Sequence, residues 1–314
     1  MGGYMLYFIV NEKSKSGNAK QIWKEIEEVL KVRNVSYQAF VSEYRGHAGK
    51  LAREICAMDD NDICLVAVGG DGTANEVING ITDFEKVRFG VIPTGSGNDL
   101  ARGLSLSKDP KNGAIHILNA MKKSREDTWC MDLGEVNFGE KKRLFAISAG
   151  IGLDALVCKK ALKSTIKDIL NKIRLGKLTY LVLTVQSLFT MQTADAEIFF
   201  DREEGLQKKR MIFTAAMNFK AEGGGVPMAP AASACDGKLS FCEAAGIPKW
   251  RTFLCLPFLV AAKHTSIHGF SVTDAKDCTI RLSRPMVVHA DGEYCGEVTE
   301  VHFHCLPGKL RVLK

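Results

Sequence analysis

The sequence GGDGT, residues 69–73, lies between an apolar run and a segment with helically spaced apolar residues. Residues 63–68 predict a strand, and residues 75–81 predict the helix that follows the glycines. In such a turn, backbone N–H groups can approach an anion, and the positive end of the helix dipole favours phosphate. Because Asp71 would repel a phosphate, the stretch indicates an intervening cation and so magnesium-nucleotide chemistry. A tight turn with a helix cap explains the same residues.

Strand and helix patterns alternate through the first part of the chain. The pattern predicts strands at 4–10, 37–41, 63–68 and 88–92, with helices at 20–32, 99–104 and 114–121 among those between and after them. Apolar strands that alternate with helices predict a parallel sheet with helices on both faces, whose ligands gather at the carboxyl ends of the strands. The loops that begin at Asn11, Gly69 and Pro93 all start at such ends. We expect them to line one cleft.

The pattern changes after a polar, charged link at residues 122–126. Strands are predicted at 128–133, 143–149, 194–200, 209–217, 239–244, 278–282, 286–290, 298–304 and 310–313, with helices at 156–186 and 249–264. A β-sandwich fits this half best. We therefore expect an α/β domain at residues 1–125, joined by the final strand at 306–314, and a β-rich domain at 126–305.

Composition excludes several classes of protein. The chain has 314 residues, 46% of them apolar and 25% charged, which is ordinary for a globular protein and excludes a disordered or collagen-like chain. No stretch approaches the length that spans a bilayer, and the apolar run at residues 4–10 is too short for a signal-peptide core. We expect a cytoplasmic protein, peripheral at the inner face of the membrane if it binds lipid.

The net charge of +6 is unevenly distributed. Residues 158–180 carry seven basic residues and one acid, with apolar residues at helical spacing, which predicts a basic amphipathic helix. Such a helix could rest on an anionic membrane, and a solvated helix face explains it equally. Residues 250–262 are apolar almost all round, which favours buried core over a membrane-facing element. Nucleic acid is not expected, because the basic residues are not interleaved with aromatic ones. A homodimer is left open.

Two motifs together carry a family resemblance. GGDGTANEVING at residues 69–80, followed by PTGSGNDLAR at 93–102, resembles the diacylglycerol/sphingosine-type lipid kinase family, most closely its soluble bacterial members. GGDG alone also fits NAD kinases and phosphofructokinases, and the second motif separates them. The resemblance implies an NAD kinase/phosphofructokinase-like nucleotide-binding domain, a β-sandwich domain for the lipid, ATP as the phosphoryl donor and Mg²⁺.

The resemblance also implies site residues. Those that would bind the nucleotide are Asn11, Ser16, Gly17, Ser42, Gly69, Gly70, Asp71, Gly72, Thr73, Asn75, Gly95, Ser96 and Asn98. Candidates for the nucleotide magnesium, directly or through water, are Asp71, Asp99 and Asp132. A structural magnesium would be held by Asp236 and by the carbonyls of Ser233 and Lys238. A D-G turn between strands would by itself explain Asp236 and the glycine after it.

The motif HADGE at residues 289–293 lies between two predicted strands and resembles the catalytic D-G-E turn of the family. By itself, D-G is a hairpin signal. Phosphoryl transfer to an alcohol needs a carboxylate that accepts the hydroxyl proton, and Glu293 is the expected base, with Asp291 sharing or orienting that role. We expect a kinase that phosphorylates a membrane lipid, with diacylglycerol as the first candidate. The alternatives are another acceptor (sphingosine-like, polyprenol or NAD) and a non-catalytic regulator that binds nucleotide or lipid.

Overall fold

The computed structural model describes residues 5–14, 19–95, 97–163, 176–201 and 204–314, with side chains for all of these except residues 162, 163 and 176–181. The chain forms two compact units. Unit 1 contains Met1–Asp132 and Gly308–Lys314, and unit 2 contains Leu133–Pro307. The sequence pattern predicts boundaries after residues 125 and 305, and both boundaries of the units lie a few residues later.

Unit 1 is built from alternating strands and helices. In chain order these are β1 (Met5–Val10), α1 (Ala19–Val32), β2 (Gln38–Val41), α2 (His47–Cys56), β3 (Ile63–Gly69), α3 (Asp71–Gly80), β4 (Val87–Pro93), α4 (Asp99–Gly103), α5 (Pro110–Ala120) and the start of β5 (Trp129–Phe138). The end of β14 (Glu293–Val312) completes the unit. The strand order is β2-β1-β3-β4-β14, and each of these pairs is parallel.

Helices cover the parallel sheet of unit 1. Phe8 of β1 and Val66 of β3 pack with Trp23 of α1 and Ile117 of α5 in one cluster of buried side chains. β3 and β4 are buried along their whole length, which explains their continuous apolar sequences. Because the strands are parallel, the loops that follow β1, β3 and β4 emerge at one edge of the sheet.

A buried arginine supports the opposite edge of this sheet. Arg88 at the start of β4 donates from Nε and Nη2 to Asp62 at 3.0 and 2.8 Å. Its Nη1 donates at 3.2 Å to the carbonyls of Met121 and Lys123, just beyond α5. Arg88 is 1% exposed, so its charge is compensated by Asp62 and by these carbonyls rather than by water.

Unit 2 is mainly β. Besides most of β5 and β14, its elements are β6 (Lys141–Phe145), β7 (Ser148–Gly152), α6 (Leu153–Lys163), α7 (Gly176–Thr190), β8 (Ala194–Phe200), β9 (Leu206–Met211), β10 (Phe213–Met217), β11 (Leu239–Ala244), α8 (Lys249–Val260), a 3₁₀ turn (His264–Ser266), β12 (Phe270–Ala275) and β13 (Asp277–Ala290). The order β12-β11-β10-β7-β13-β14 is antiparallel throughout. β13 pairs with β8 through residues 278–282 and with β7 through residues 288–290, and its register against β14 shifts between these segments. Such a shift bends a strand.

Several predicted elements of unit 2 differ in the structure. The strands predicted at 143–149 and 209–217 are each two strands, whereas those at 278–282 and 286–290 form the single β13. The break between β6 and β7 has a physical reason, because the N–H groups of residues 146–148 donate to a side chain, Asp291. β12 was not predicted. The helix predicted at 156–186 is represented by α6 and α7, and residues 164–175 lie outside the described residues.

Candidate functional site

Three loops meet at the carboxyl edge of the parallel sheet in unit 1. Asn11, which follows β1, donates from Nδ2 to Thr73 Oγ1 at 3.0 Å. Ser14 Oγ and Thr94 Oγ1 share a hydrogen bond of 2.5 Å, which joins the first loop to the loop after β4. The N–H of Thr94 donates to the Gly69 carbonyl at 2.8 Å. The three loops that we expected to lie together therefore form one hydrogen-bonded group.

The two glycine loops contact each other through their backbones. A Cβ at Gly95 would lie 2.7 Å from the Cα of Gly70. Within the first loop, a Cβ at Gly69 would lie 2.5 Å from the Cβ of Thr73. Both separations are shorter than packed carbon atoms tolerate. Glycine at position 95 therefore brings the two loops closer than a residue with a side chain would allow, and glycine at position 69 lets the first loop turn tightly against Thr73.

Asp71 links the first glycine loop to the second. Its Oδ2 accepts the N–H of Asp99 at 3.0 Å, and its Oδ1 accepts the N–H of Leu100 at 3.1 Å. These N–H groups belong to the first turn of α4, where backbone donors have no partner within the helix and where the dipole favours negative charge. The carboxylate that the sequence singled out as a magnesium-linked acid is thus also a bridge between the two loops.

The start of α3 has the geometry of an anion site. The helix begins at Asp71, and its N-cap, Gly70, has no side chain that could accept the first N–H groups. The N–H of Ala74 makes the first helical hydrogen bond, to the Gly70 carbonyl at 3.1 Å. Backbone donors in a first turn without a side-chain cap, together with the helix dipole, favour a phosphate. The predicted role of residues 69–73 remains a prediction with this local support.

Asn98 presents a buried polar atom. It adopts the left-handed conformation at φ 53°, and its Nδ2 donates to the Gly95 carbonyl at 2.8 Å. Its Oδ1 is buried and has no hydrogen-bond partner within the described part of the chain. Because buried polar atoms in native proteins are nearly always paired, this oxygen fits a contact to a bound group such as a nucleotide or a hydrated cation.

The other two predicted magnesium acids also have protein partners. Asp99 is buried and forms an ion pair with Arg102. Asp132 is 2% exposed, and its Oδ1 accepts the N–H of Gly308 at 2.7 Å, where the chain re-enters unit 1. These contacts do not test a magnesium role, which stays a prediction for both acids. The Asp132 contact is sufficient to explain a buried acid at that position.

The remaining predicted nucleotide residues are described in part. Ser42 directly follows β2 and is buried, and its N–H donates to the last residue of β1. Asn75 is buried in α3, where its backbone and side-chain oxygens accept hydrogen bonds from Asn79. Ser16, Gly17 and Ser96 lie outside the described residues.

In unit 2, the carboxylate of Asp291 is surrounded by backbone amides. It accepts the N–H groups of Ala146 and Ile147 at 2.8 Å and that of Ser148 at 3.1 Å. Its own N–H donates to the Ser148 carbonyl at 2.8 Å. Asp291 and Gly292 have positive φ of 47° and 80°, as a two-residue hairpin between β13 and β14 requires. This geometry favours Asp291 as the anchor of the turn rather than as the acceptor of a substrate proton.

Glu293 is the first residue of β14 and pairs with Ala290 across the hairpin. It is partly exposed, and only Gly292 separates it from the anchored Asp291. The backbone that carries its carboxylate is therefore fixed on both sides. The sequence did not decide whether Asp291 or Glu293 is the base. The structure favours Glu293, and that role stays a prediction.

Sequence reasoning missed a cluster beside this turn. His289 Nε2 lies 3.0 Å from Asp154 Oδ2, and ligand-type atoms of His289, Asp154 and Glu222 all lie within 4.8 Å of one another. Glu222 also hydrogen-bonds to the hydroxyl of Ser148. His289 was visible in the motif before the turn, but Asp154 and Glu222 come from distant segments without a motif. Only the folded chain brings them together.

The comparisons with known proteins show the family of the chain. Residues 5–131 match the family described as the diacylglycerol kinase catalytic domain, and residues 148–314 match the one described as the YegS C-terminal NAD kinase beta sandwich-like domain. The protein named "Putative lipid kinase YtlR" of Bacillus subtilis (strain 168) is 30% identical over 311 residues, 98% of each chain. This chain belongs to the diacylglycerol kinase family of lipid kinases.

Other relatives of this lipid kinase extend the comparison. A diacylglycerol kinase of Bacillus subtilis (strain 168) is 28% identical over 257 residues, 80% of this chain and 77% of the relative. The crystal structure of a diacylglycerol kinase from Bacillus anthracis str. Sterne superposes with a TM-score of 0.72 at 18% identity, covering 98% and 96% of the two chains. An NAD kinase from Archaeoglobus fulgidus in complex with ATP gives a TM-score of 0.54 at 14% identity, covering 99% and 94%. The predicted fold class, an NAD kinase-like α/β domain with a β-sandwich domain, is confirmed.

The loop of this kinase that was predicted to hold a structural magnesium forms a local turn. Asp236 is exposed, and its Oδ1 accepts the N–H of Lys238 at 3.1 Å, while Gly237 has φ of 75°. This is the D-G turn that the sequence left open. One oxygen of Asp236 remains beyond that bond, so magnesium binding with the carbonyls of Ser233 and Lys238 stays a prediction.

The segment at 250–262, for which the sequence favoured buried core over a membrane-facing element, is buried on one side only. Thr252, Cys255 and Leu259 of α8 are buried, but Trp250, Leu254 and Phe258 are 60%, 57% and 49% exposed. Phe253, on the same helix, packs beside Phe189 of α7 with ring centroids 6.1 Å apart. The result is an apolar face of α8 that is open to solvent.

The predicted basic helix is described only at its ends. Lys159 forms an ion pair with Glu297 at 2.5 Å, and Lys160 donates to Thr190 Oγ1 at 3.0 Å. Residues 164–175, with three of the seven predicted basic residues, lie outside the described residues. Among the helices that the structure does describe, none combines the length and apolar character that crossing a bilayer demands.

Proposed function

We propose that this lipid kinase transfers the γ-phosphoryl group of ATP, with Mg²⁺, to the hydroxyl of a membrane lipid, with diacylglycerol as the first candidate and phosphatidic acid as the product. The observation that carries the proposal is the anchored turn at residues 291–293. Three backbone N–H groups hold Asp291 as the anchor of the turn, which favours the neighbouring Glu293 as the carboxylate that accepts the proton. Diacylglycerol is favoured because that is what a 28% identical relative is named for.

The chemistry assigned to Glu293 is general-base catalysis. As the lipid oxygen bonds to the γ-phosphorus, the bond from that phosphorus to the bridging oxygen breaks and ADP leaves. The hydroxyl proton passes to the Glu293 carboxylate. Positioned bases of this kind accelerate transfer by about 10²–10⁴-fold, and positioning and charge neutralisation supply the remainder.

The donor phosphates are assigned to unit 1. We infer that they lie at the first turn of α3, where Gly70 leaves the backbone donors without a side-chain cap. Magnesium would supply the charge neutralisation that a triphosphate beside Asp71 needs. The buried Oδ1 of Asn98, which has no hydrogen-bond partner among the described residues, supports this fit.

The lipid surface is assigned to the exposed face of α8. Between residues 244 and 273 the chain has no acid, and it carries Lys249, Arg251 and Lys263. An apolar face with basic neighbours fits an anionic bilayer, where aromatic side chains insert and cations meet headgroups. Trp250, Leu254 and Phe258 are the residues that we expect to enter the interface.

The test is phosphorylation of purified acceptors. Protein, ATP and Mg²⁺ are incubated with mixed micelles of diacylglycerol, sphingosine or undecaprenol, or with NAD, and labelled product is counted. We expect phosphatidic acid from wild type, a loss of about 10²–10⁴-fold in kcat for Glu293→Gln, and wild-type rates for Glu300→Gln, an exposed acid on the same strand. Activity on NAD alone would refute the lipid acceptor. No turnover of any acceptor, with nucleotide still bound, would support the regulator.

A second variant tests the donor side. Asp71→Asn keeps one acceptor oxygen for α4 and removes the charge. We expect a strong loss of kcat together with a raised magnesium requirement, because the carboxylate charge is what attracts the cation. Unchanged magnesium dependence would limit Asp71 to its bridging role between the two loops.

A further inference from the structure

His289 is buried directly before the 291–293 turn, and both of its ring nitrogens are engaged. Nδ1 accepts the N–H of Gly292 at 3.2 Å. An amide N–H can only donate, so Nδ1 carries a lone pair, and the ring proton of a neutral imidazole then lies on Nε2. That proton is directed to Asp154 Oδ2 at 3.0 Å. The contacts therefore select one tautomer.

The backbone leaves room for this arrangement. Asp154 lies in the first turn of α6, and His289 pairs with Gly150 across β7 and β13. A Cβ at Gly150 would lie 1.8 Å from Asp154 Oδ2 and 3.0 Å from His289 Nε2. Any residue larger than glycine would displace the hydrogen bond between Asp154 and His289. The glycine at position 150 therefore makes the hydrogen bond between Asp154 and His289 sterically possible.

Three acids face the imidazole: Asp154 from α6, Glu222 from the segment after β10, and Asp291 from the turn itself. Burial, the largest single influence, lowers the pKa of His289, and the three carboxylates outweigh it and raise that pKa above its ordinary value. A second ring proton would lie on Nδ1 and face the N–H of Gly292. Protonation would thus remove the acceptor that holds the turn.

A metal ion is a weaker explanation of the same cluster. Binding at Nε2 would require the lone pair of that nitrogen, and the ring proton would have to move to Nδ1. The Gly292 N–H would then lose its acceptor. The hydrogen-bond geometry therefore favours the tautomer that orders the turn.

We propose that His289, oriented by Asp154, is a positioning residue that fixes the 291–293 turn through the N–H of Gly292 and so sets the place of the Glu293 carboxylate. This inference rests on the proposed role of Glu293 as the base. Asp291 holds one side of the turn through the β6–β7 junction, and His289 holds the residue between Asp291 and Glu293. A base displaced by about 1 Å can cost about 10²-fold in rate.

Two substitutions separate the contacts of the ring. His289→Asn places an amide oxygen near the position of Nδ1 and keeps an acceptor for Gly292, but it loses the bond to Asp154. His289→Gln places a donor near Nε2 and keeps the bond to Asp154, but it loses the acceptor. If His289 contributed only to the stability of the fold, both variants would lose kcat to the same extent, because each removes one hydrogen bond.

The experiment measures kcat and KM for diacylglycerol in mixed micelles across pH, with the urea unfolding midpoint of each variant. We expect His289→Gln to lose about 10–100-fold in kcat with KM unchanged, and His289→Asn to stay within about threefold of wild type at neutral pH. Wild-type kcat should fall as the pH drops through the pKa of His289, and His289→Asn should lack that acid limb.

Two results would overturn the inference: wild-type kcat in His289→Gln, or an unchanged acid limb in His289→Asn. Glu293→Gln, assayed in parallel, keeps the two proposals distinguishable. If Glu293→Gln is active, the proposed base is wrong. If it is inactive while His289→Gln is normal, only the positioning role fails.

Discussion

Replacing Asp291 with asparagine tests whether this acid anchors the turn or acts in the chemistry. The change keeps the size of the side chain, and asparagine tolerates the left-handed conformation of residue 291, so backbone strain is not introduced. What changes is the charge and one of the two acceptor atoms. Oδ2 accepts the N–H of Ala146, and Oδ1 accepts those of Ile147 and Ser148. Asparagine can serve only one of these two sides.

The magnitude follows from those three hydrogen bonds. A bond to a charged group contributes about 1.5–3 kcal/mol and a neutral one about 0.5–1.5 kcal/mol. With the amide oxygen toward Ile147 and Ser148, each of those bonds weakens by about 1 kcal/mol. The N–H of Ala146 then faces an NH₂ group and remains unsatisfied, at a cost of about 1–3 kcal/mol. We expect a loss of about 3–5 kcal/mol in the free energy of unfolding of unit 2.

Urea denaturation and amide hydrogen exchange measure this effect. Exchange protection should fall at residues 146–148, and kcat should fall because the turn is displaced. Glu300→Gln is the matched control, since its surface ion pair with Arg281 should contribute less than about 1 kcal/mol. A loss below about 1 kcal/mol in Asp291→Asn, with unchanged protection at 146–148, would refute the anchoring role.

Three further predictions concern other parts of the chain. Arg88→Met should destabilise unit 1 by about 2–4 kcal/mol in urea denaturation, because it leaves Asp62 unpaired; a neutral result would contradict a structural ion pair. Trp250→Ser should weaken binding to phosphatidylglycerol vesicles about tenfold in co-sedimentation, whereas Val32→Ser, at an exposed apolar residue of α1, should not; equal effects would exclude a docking face on α8. Burial lowers the pKa of His264, so the residue takes up its proton at higher pH in the unfolded chain, and stability should fall as the pH drops below 6.5. In urea denaturation, His264→Gln should reduce this dependence of the midpoint on pH. An unchanged dependence would contradict a buried neutral ring.

The elements of unit 1 were predictable because each carries a strong local signal. The apolar run of β3 and the helical spacing of α1 depend on residues that are adjacent in sequence. The prediction of a single strand at 143–149 was wrong, because this segment depends on a distant residue. Its apolar pattern is continuous, but the backbone at residues 146–148 bonds to Asp291, which lies 145 residues from Ala146. Periodicity carries no information about such a partner.

The face of α8 shows the same limit. A helix that is apolar almost all round predicts buried core, since such helices are usually buried. The structure buries Thr252 and Cys255 and leaves Trp250 exposed. Which side of a helix finds a neighbour depends on the arrangement of the other elements, and the sequence of the helix is compatible with either outcome.

By itself, the sequence determined the alternation of strands and helices, the three loops at one sheet edge and the family of the chain, because each depends on residues close together in the chain. Only the tertiary structure decided what the acids in those motifs touch. Asp71 bridges two glycine loops, Asp132 binds Gly308, and Asp291 is enclosed by amides at a distant strand break. A carboxylate is defined chemically by its neighbours, and those neighbours are brought together by folding.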